Sequence, residues 1–324
     1  MNEKLYGIID KRGDFMNDFF NEEEKSELNE NSEMIVTESP ENSEVVTAPE
    51  YNEEKEFQAE QKRSIFGISA YLIVSYVISI LAQMIILFAL KVIYPGLTEE
   101  YKNLVSQLDA LKATGTAEEI ALIQDQMYHC MFYIKAIAWT NIITSTVLFI
   151  ATVIIFFKPL KKQLLDKSVN KLAVFFTGVI GFFILIAASM VTSAICSLFS
   201  QTDNSLNQMT IELICKNGYL IPMFFLTVIF APISEELVFR KSVFGLFKNK
   251  WVGLVVSSIG FGLIHVLGGG DYIYLISYAA SGFVLGGIYL YSNKNIYASI
   301  IAHMINNGFS FIMIVMMMLF PGIA

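Results

Sequence analysis

The sequence has little charge and little cysteine. Only 16% of its 324 residues are Asp, Glu, Lys or Arg, whereas 54% are hydrophobic. Soluble domains average about 25% charged residues, so this composition argues against a soluble globular enzyme. The three cysteines have no paired spacing, which argues against a disulfide framework or a cysteine metal cluster. We expect Cys130, Cys196 and Cys215 to be packed as small residues.

The charge that is present is unevenly distributed. Residues 1–60 contain 18 Asp and Glu against 5 Lys and Arg, whereas the remaining 264 residues contain 12 acidic and 17 basic side chains. A segment so acidic and so poor in periodic apolar residues cannot offset its ordering entropy by burial. We therefore predict that residues 1–60 form an acidic, mostly disordered cytoplasmic tail without a signal peptide.

Residues 61–324 contain seven apolar segments that are each long enough to cross a membrane, which takes about 20 residues as a helix. We predict an all-α, polytopic transmembrane helix bundle in this region. The predicted spans lie near 65–92, 134–157, 172–199, 218–245, 249–267, 272–292 and 296–320.

Basic residues alternate between the connecting loops. Residues 158–171 carry five lysines and one acidic residue, the 240–250 turn has one arginine and three lysines, and the 292–295 turn has one lysine. The loops 93–133, 200–217 and 268–271 have few basic residues or an acidic excess. Because cytoplasmic loops are enriched in Lys and Arg, we predict a multi-pass protein of a bacterial cell membrane, with the N-terminus in the cytoplasm and the C-terminus outside.

Few ionisable residues lie near the middle of the predicted spans, and all fall in the last four. A charge in the bilayer interior costs at least about 2.5–3.5 kcal/mol, so these residues need either a partner or a function. They are Glu235, Glu236, Arg240, His265 and His303.

Helical spacing organises this set. Glu236 and Arg240 are four residues apart and can pair on one face, whereas Glu235 points about 100° away from Glu236. Counting residues from the tip of the 240–250 turn places Glu235 and His265 at similar depth, roughly 18–22 Å from it. His303 lies about 12 Å from its own turn by the same count.

These side chains are sufficient for peptide hydrolysis. A carboxylate and a neutral imidazole can hold and deprotonate a water molecule. A second imidazole and a carboxamide can donate hydrogen bonds to the oxyanion that develops on the scissile carbonyl. The His303–Asn307 pair, four residues apart, offers these two donors on one helix face.

Three ordered motifs in the sequence resemble those of the CPBP family of intramembrane proteases, which includes CAAX prenyl endopeptidases and bacteriocin-processing enzymes of the Abi group. "EELVFR" resembles the EExxxR motif, "FGLIH" resembles FxxxH, and "HMINN" resembles HxxxN. The resemblance implies an all-helical membrane endopeptidase with a core region at about 172–320 and a site that opens toward the cytoplasm. It further implies that Glu235 and His265 activate water, that His303 and Asn307 stabilise the oxyanion, and that Glu236, Arg240 and Phe261 support the site.

The resemblance leaves the cofactor and the substrate open. The HExxH spacing of many zinc proteases is lacking, and we expect no metal, although Glu235, His265 and His303 could form a three-ligand zinc site. We expect a peptide or protein substrate in the membrane, either prenylated or a peptide precursor, a surrounding lipid bilayer, and no nucleic-acid partner.

Two other classes of protein remain as alternatives. An ion- or proton-coupled transporter could use the same buried carboxylates and histidines, although the Gly- and Pro-broken inverted helices of transporters are not evident. A non-catalytic immunity or scaffold protein could retain the fold and use the site for binding.

Overall fold

The computed structural model describes residues 53–199 and 204–320, and this part of the chain is helical throughout, without a strand. Most of the predicted acidic tail therefore lies outside the described residues, and the first helix begins before the predicted boundary at residue 60. The helices are α1 Glu53–Leu72, α2 Ser79–Ile93, α3 Pro95–Thr114, α4 Ala117–His129, α5 Met131–Leu165, α6 Lys171–Cys196, α7 Leu206–Ile214, α8 Leu220–Phe224, α9 Ala231–Glu236, α10 Lys250–Val266, α11 Leu275–Tyr291 and α12 Ile296–Leu319.

Several of these helices join into longer rods through wider, π-helical turns. Segment Ile73–Ile78 links α1 to α2, and three such segments link α7, α8 and α9 and extend the rod to Val243. The second rod bends at Asn217 and Gly218, where the glycine has a φ of 94° that other residues rarely adopt. Within the described residues, six helical segments are therefore long and apolar enough to cross a membrane.

The seven predicted spans correspond to these six segments and α10. Helix α10 has 17 residues and is apolar, but it is shorter than the others. The fourth span was predicted to begin near residue 218, whereas its helical rod begins at Leu206 because the polar residues after Ser205 are helical too. Large apolar side chains such as Met84, Phe88 and Ile154 are 64–70% exposed, as expected for surfaces that face lipid.

Three of the lysine-containing turns end on an asparagine that caps the next helix. The side-chain oxygens of Asn170, Asn249 and Asn295 accept hydrogen bonds from the first backbone N–H groups of α6, α10 and α12. These caps satisfy donors that a helix start leaves free. The three helices therefore begin within a residue or two of the starts that were predicted for the corresponding spans.

These turns lie at one end of the bundle, which we call the lysine-rich face. The Gln163 side chain bonds the backbone of Lys294 and Ile296 at 3.0 and 3.1 Å, and Gln61 donates to the Leu246 carbonyl oxygen at 3.3 Å. The turns 158–171, 244–250 and 292–295 are therefore joined there with the start of the first rod.

The other end of the bundle, which we call the distal face, joins the remaining connections. The Leu206 N–H donates to Asp271 at 2.8 Å, the Ser205 and Tyr278 hydroxyls lie 2.7 Å apart, and the Cys196 thiol lies 3.5 Å from the Ile273 carbonyl oxygen. The hairpin of α3 and α4 reaches the same end, because the Tyr128 hydroxyl lies 3.5 Å from that of Thr210.

Small residues allow close contact among the helices that carry the predicted site. An added Cβ at Gly282 would lie 2.8 Å from the Ser258 Cα atom, so α10 and α11 touch backbone to backbone. Gly178 and Gly181 similarly admit α12 and α11 to the surface of α6. The three cysteines are free and buried, which confirms that they are packing residues.

Candidate active site

The structure brings the two predicted histidines to the same carboxylate. Glu235 lies in α9, His265 in the last turn of α10, and His303 in the second turn of α12. One oxygen of Glu235, Oε2, is 3.9 Å from His265 Nε2 and 3.8 Å from His303 Nε2. At these separations a single water molecule can contact the carboxylate and an imidazole together.

The tautomer of His265 follows from its backbone contact. Its Nδ1 atom lies 2.8 Å from the carbonyl oxygen of Phe261, one helical turn earlier. Because a carbonyl oxygen can only accept, Nδ1 carries a proton. In the neutral ring, Nε2 therefore presents its lone pair toward Glu235. The ring is also stacked on Tyr278, with centroids 4.4 Å apart.

His303 is held by a buried chain of polar side chains. Its Nδ1 atom lies 3.1 Å from Glu236 Oε1, and the other oxygen of Glu236 lies 3.2 Å from Arg240 Nε, without hydrogen-bond alignment. Glu236 and Arg240 are both fully buried. The arginine donates to the Ser257 hydroxyl at 2.8 Å, which in turn donates to a backbone carbonyl. The predicted Glu236–Arg240 pair is therefore present and anchors the imidazole.

Asn307 faces the same cavity as the two histidines. Its Nδ2 atom donates to the Thr227 carbonyl oxygen at 2.9 Å, which fixes the amide and leaves its second N–H for another acceptor. Neighbouring Asn306 donates to Asn307 Oδ1 at 3.4 Å.

Phe261 is packed among the charged and aromatic groups of the site. Its ring centroid lies 4.7 Å from that of His265 and 5.7 Å from that of His303, and the Arg240 guanidinium carbon is 5.2 Å from it. The side chain is 3% exposed. Phe261 thus separates the buried arginine from the imidazoles and fixes the orientation of both rings.

A cavity of about 610 Å³ extends from these residues in one direction. From there its lining runs toward the distal face, for example along Ser189 and Ser193 of α6, Ser277 of α11, and Met313 and Met317 of α12. At its far end are the exposed residues Asn204 and Asn207. Toward the lysine-rich face, the residues after Glu236 are Leu237, Val238 and Phe239, which are all buried.

The direction of the cavity tests the predicted membrane orientation against the side on which the site was expected to open. A cavity that opens toward the distal face opens away from the lysine-rich turns. The predicted orientation places those turns in the cytoplasm, whereas the family resemblance implies a site open to the cytoplasm. These two expectations are incompatible in this structure.

A second cavity, of about 250 Å³, meets Glu235 from another side. Its lining is rich in hydroxyl groups, and the buried hydroxyls of Thr140 and Thr144 have no hydrogen-bond partner among the described residues. Such a polar space is of the kind that holds ordered water in proteins. Its lining residues are Tyr71, Ser75, Ser79, Thr140, Asn141, Thr144, Ser145, Leu148, Phe230, Ala231, Ser234 and Glu235.

Sequence reasoning missed several residues of the site. Tyr278, Thr227 and Thr144 lie outside the three motifs, and tyrosine and threonine are common in helices, so nothing in the sequence singled them out. Tyr278 lies four residues before Gly282, so the two residues share one face of α11, and this face packs on α10. That spacing is the only sequence signal that could have placed Tyr278 near His265.

A metal site is the remaining question for these residues. Among the described residues, no group of three or more His, Cys, Asp or Glu side chains has an arrangement that could hold a metal ion. Glu235, His265 and His303 thus do not form a closed ligand set as they stand, and metal independence stays a prediction.

Comparisons with known proteins point to the same motif region. Residues 217–309 match a family model described as type II CAAX prenyl endopeptidase Rce1-like. The putative membrane peptidase YdiL of Bacillus subtilis is 37% identical over 95 residues, which is 28% of this chain and 36% of that protein. The membrane-embedded CAAX protease MroQ of Staphylococcus aureus is 30% identical over 139 residues, covering 41% of this chain and 55% of MroQ.

A further relative, the UPF0177 protein YxdF of Lactococcus lactis, is 29% identical over 133 residues, 41% of this chain and 69% of that protein. The chain thus spans about a third to two thirds of the lengths of these relatives. No solved structure matches the chain. The helical membrane fold, the ordered motifs and these matches agree. Residues 217–309 therefore form an Rce1-like CAAX protease domain, and the matches to YdiL and MroQ support the CPBP family of intramembrane proteases.

Proposed function

We propose that this chain is an intramembrane endopeptidase in which Glu235 is the general base. The observation that carries the proposal is the approach of the Nε2 atoms of His265 and His303 to one oxygen of Glu235, at 3.9 and 3.8 Å, at the closed end of a cavity large enough for a peptide segment. Both imidazoles are held from behind through Nδ1, so that their Nε2 atoms are directed at the reacting groups.

The proposed reaction begins with a water molecule held by Glu235 and the Nε2 lone pair of His265. Glu235 takes a proton from the water as its oxygen attacks the carbonyl carbon of the scissile peptide bond. His303 donates from Nε2 to the resulting oxyanion while its Nδ1–H donates to Glu236, and the free N–H of Asn307 is a second donor. Glu235 then passes its proton to the leaving nitrogen as the C–N bond breaks.

The second cavity gives the water its own approach. Peptide in the 610 Å³ cavity would block the direct path from the distal face to Glu235. The hydroxyl-lined 250 Å³ cavity shares Asn141 and Ser145 with it but also extends to Tyr71 and Ser75 of the first rod. Thr140, Thr144 and Ser145 can keep water next to the base while the peptide is bound.

Substrate class and metal dependence are tested by one panel. The full chain in detergent is incubated with prenylated and unprenylated quenched peptides, beside Glu235→Ala and His265→Ala, each with and without chelator. We expect cleavage that is lost in both variants and insensitive to chelator. Loss with chelator and recovery with added zinc would contradict the metal-free mechanism. If no peptide is cleaved while liposomes with the chain show ion flux that Glu235→Ala abolishes, the enzyme proposal fails in favour of transport.

A further inference from the structure

We propose that the peptide cavity opens on the extracytoplasmic side of the membrane, so that the substrate is a membrane-associated polypeptide whose scissile segment lies at the outer leaflet. The substrate part of this inference rests on the proposed endopeptidase function. The orientation of the cavity does not, because it follows from the loops and the cavity lining alone.

The two ends of the bundle carry opposite charge. The 158–171 turn carries five lysines against Asp166. Hydrogen bonds from the Ser168 hydroxyl and backbone N–H lower the pKa of Asp166, so this carboxylate is ionised and the turn keeps a net charge of +4. At the other end, residues 93–133 contain six acidic and two basic side chains. Short basic loops are retained in the cytoplasm, so the lysine-rich face is the cytoplasmic one.

The polar cavity includes exposed residues at the distal face. Its lining begins at Phe261 in α10, at Leu185 in α6 and at His303 in α12, and continues from each of these residues toward the distal face. Between Glu235 and the lysine-rich face, Leu237, Val238 and Phe239 are at most 5% exposed and pack in the core. A peptide can therefore reach Glu235 through the described residues from the distal side.

The entrance of the cavity at the distal face has a polar end and an apolar side. The far end is lined by the polar side chains of Asn204, Asn207 and Gln208 and by the carboxylate of Glu212, to which Gln208 donates at 3.1 Å. The α12 wall instead carries Phe309, Met313 and Met317, which line the cavity and are also 41–45% exposed on the bundle surface. An entrance with an aqueous end and an apolar side suits a polypeptide that is anchored in the adjacent leaflet and has a polar segment above it.

This entrance distinguishes substrates by the side on which they are presented. A prenylated tail on a cytoplasmic protein would sit at the lysine-rich face, which the buried residues Leu237, Val238 and Phe239 separate from Glu235. A peptide precursor or membrane-protein segment exposed at the outer leaflet would reach the cavity directly.

Cysteine labelling in intact bacterial cells that express the full chain tests the orientation. The native cysteines are at most 4% exposed, and the unsubstituted chain gives the background. Asn207→Cys and Gly268→Cys report the distal face; an added Cβ at Gly268 meets no atom within 4 Å, so this variant is sterically free. Lys167→Cys reports the lysine-rich face at an exposed position.

We expect a membrane-impermeant maleimide to label the two distal variants in intact cells and Lys167→Cys only after the cells are permeabilised. The reverse pattern would overturn the inference. Because this readout needs no cleavage, it decides the orientation even if the chain has no protease activity.

Sided vesicles test the substrate part. An acylated, quenched peptide pool that the detergent-solubilised chain cleaves is added to right-side-out and to inside-out vesicles. We expect cleavage by right-side-out vesicles, and by inside-out vesicles only after detergent is added. Cleavage confined to intact inside-out vesicles would refute outer-leaflet access, whereas no cleavage in detergent would count against the proposed function and leave the labelling result standing.

Discussion

The buried Glu236–Arg240 pair predicts that stability and activity can be separated by mutation. The two groups approach to 3.2 Å and have no solvent exposure. At an effective dielectric constant of about 20, opposite charges at this distance attract by about 5 kcal/mol, before desolvation is subtracted. Removing one partner of such a pair leaves an uncompensated buried charge and typically destabilises a protein by about 3–5 kcal/mol.

We therefore expect Glu236→Gln and Arg240→Met each to lower the free energy of unfolding by about 3–5 kcal/mol. The double variant should regain most of this loss, because replacing both charges removes the uncompensated one. Unfolding in mixed micelles, analysed as a double-mutant cycle, measures the coupling. Additive losses in the double variant would refute the pairing argument.

Activity should behave differently from stability in the same double variant. Without the Glu236 carboxylate, His303 loses the group that holds its Nδ1 atom and orients the ring. The double variant should thus be folded but remain slow in peptide cleavage. Recovery of both stability and cleavage would mean that the pair acts only as a structural support, and that His303 needs no charged partner.

Three further variants and one control variant test packing and water supply. Phe261→Ala should destabilise the chain by about 3–5 kcal/mol, since it leaves a cavity where a buried aromatic ring was packed. An unchanged midpoint of thermal unfolding would contradict this prediction. Gly282→Ala should destabilise the chain by about 1–3 kcal/mol, because the added Cβ would meet the backbone of α10. The control Gly287→Ala adds a Cβ that meets nothing within 4 Å and should not destabilise the chain. Equal effects of the two variants would contradict the close approach of α10 and α11. Thr144→Val should lower kcat and leave KM unchanged, since it removes a hydroxyl that lines the second cavity with Glu235 but does not line the peptide cavity. Steady-state kinetics in which KM alone changes would argue against a water-holding role.

The sequence predicted those parts of the site that depend on position along a single helix. The pairing of Glu236 with Arg240 followed from their spacing of four residues, and the meeting of Glu235 with His265 followed from equal depth across one hairpin. Both relationships need only the regular rise and turn of a helix, which these apolar segments adopt.

The depth of His303 was harder to predict. A uniform helical rise placed it several ångströms away from Glu235, but the structure brings the two side chains within 3.8 Å. The wider turns of Leu237–Val243 advance less per residue than an α-helix, so Glu235 lies closer to the lysine-rich face than the count suggested. No residue pattern in the sequence announces such turns.

The direction of the cavity could not be predicted from any one motif. It depends on small and polar residues such as Ser189, Ser277 and Thr227, which belong to three different rods and share only the half of the bundle in which they lie. Tertiary packing decides whether such residues line one space or three. The sequence therefore indicated the side chains that meet at the proposed site, but not the side from which a substrate would reach them.

The most direct test of the central claim is the turnover of Glu235→Gln on a peptide that the wild-type chain cleaves, at saturating substrate. Glutamine keeps the shape and hydrogen-bonding capacity of the side chain but cannot accept the proton of water. The account predicts a loss in kcat of at least about 10²-fold, the scale of general-base catalysis, with unfolding unchanged. A kcat within a few-fold of the wild-type value would contradict the assignment of Glu235 as the base.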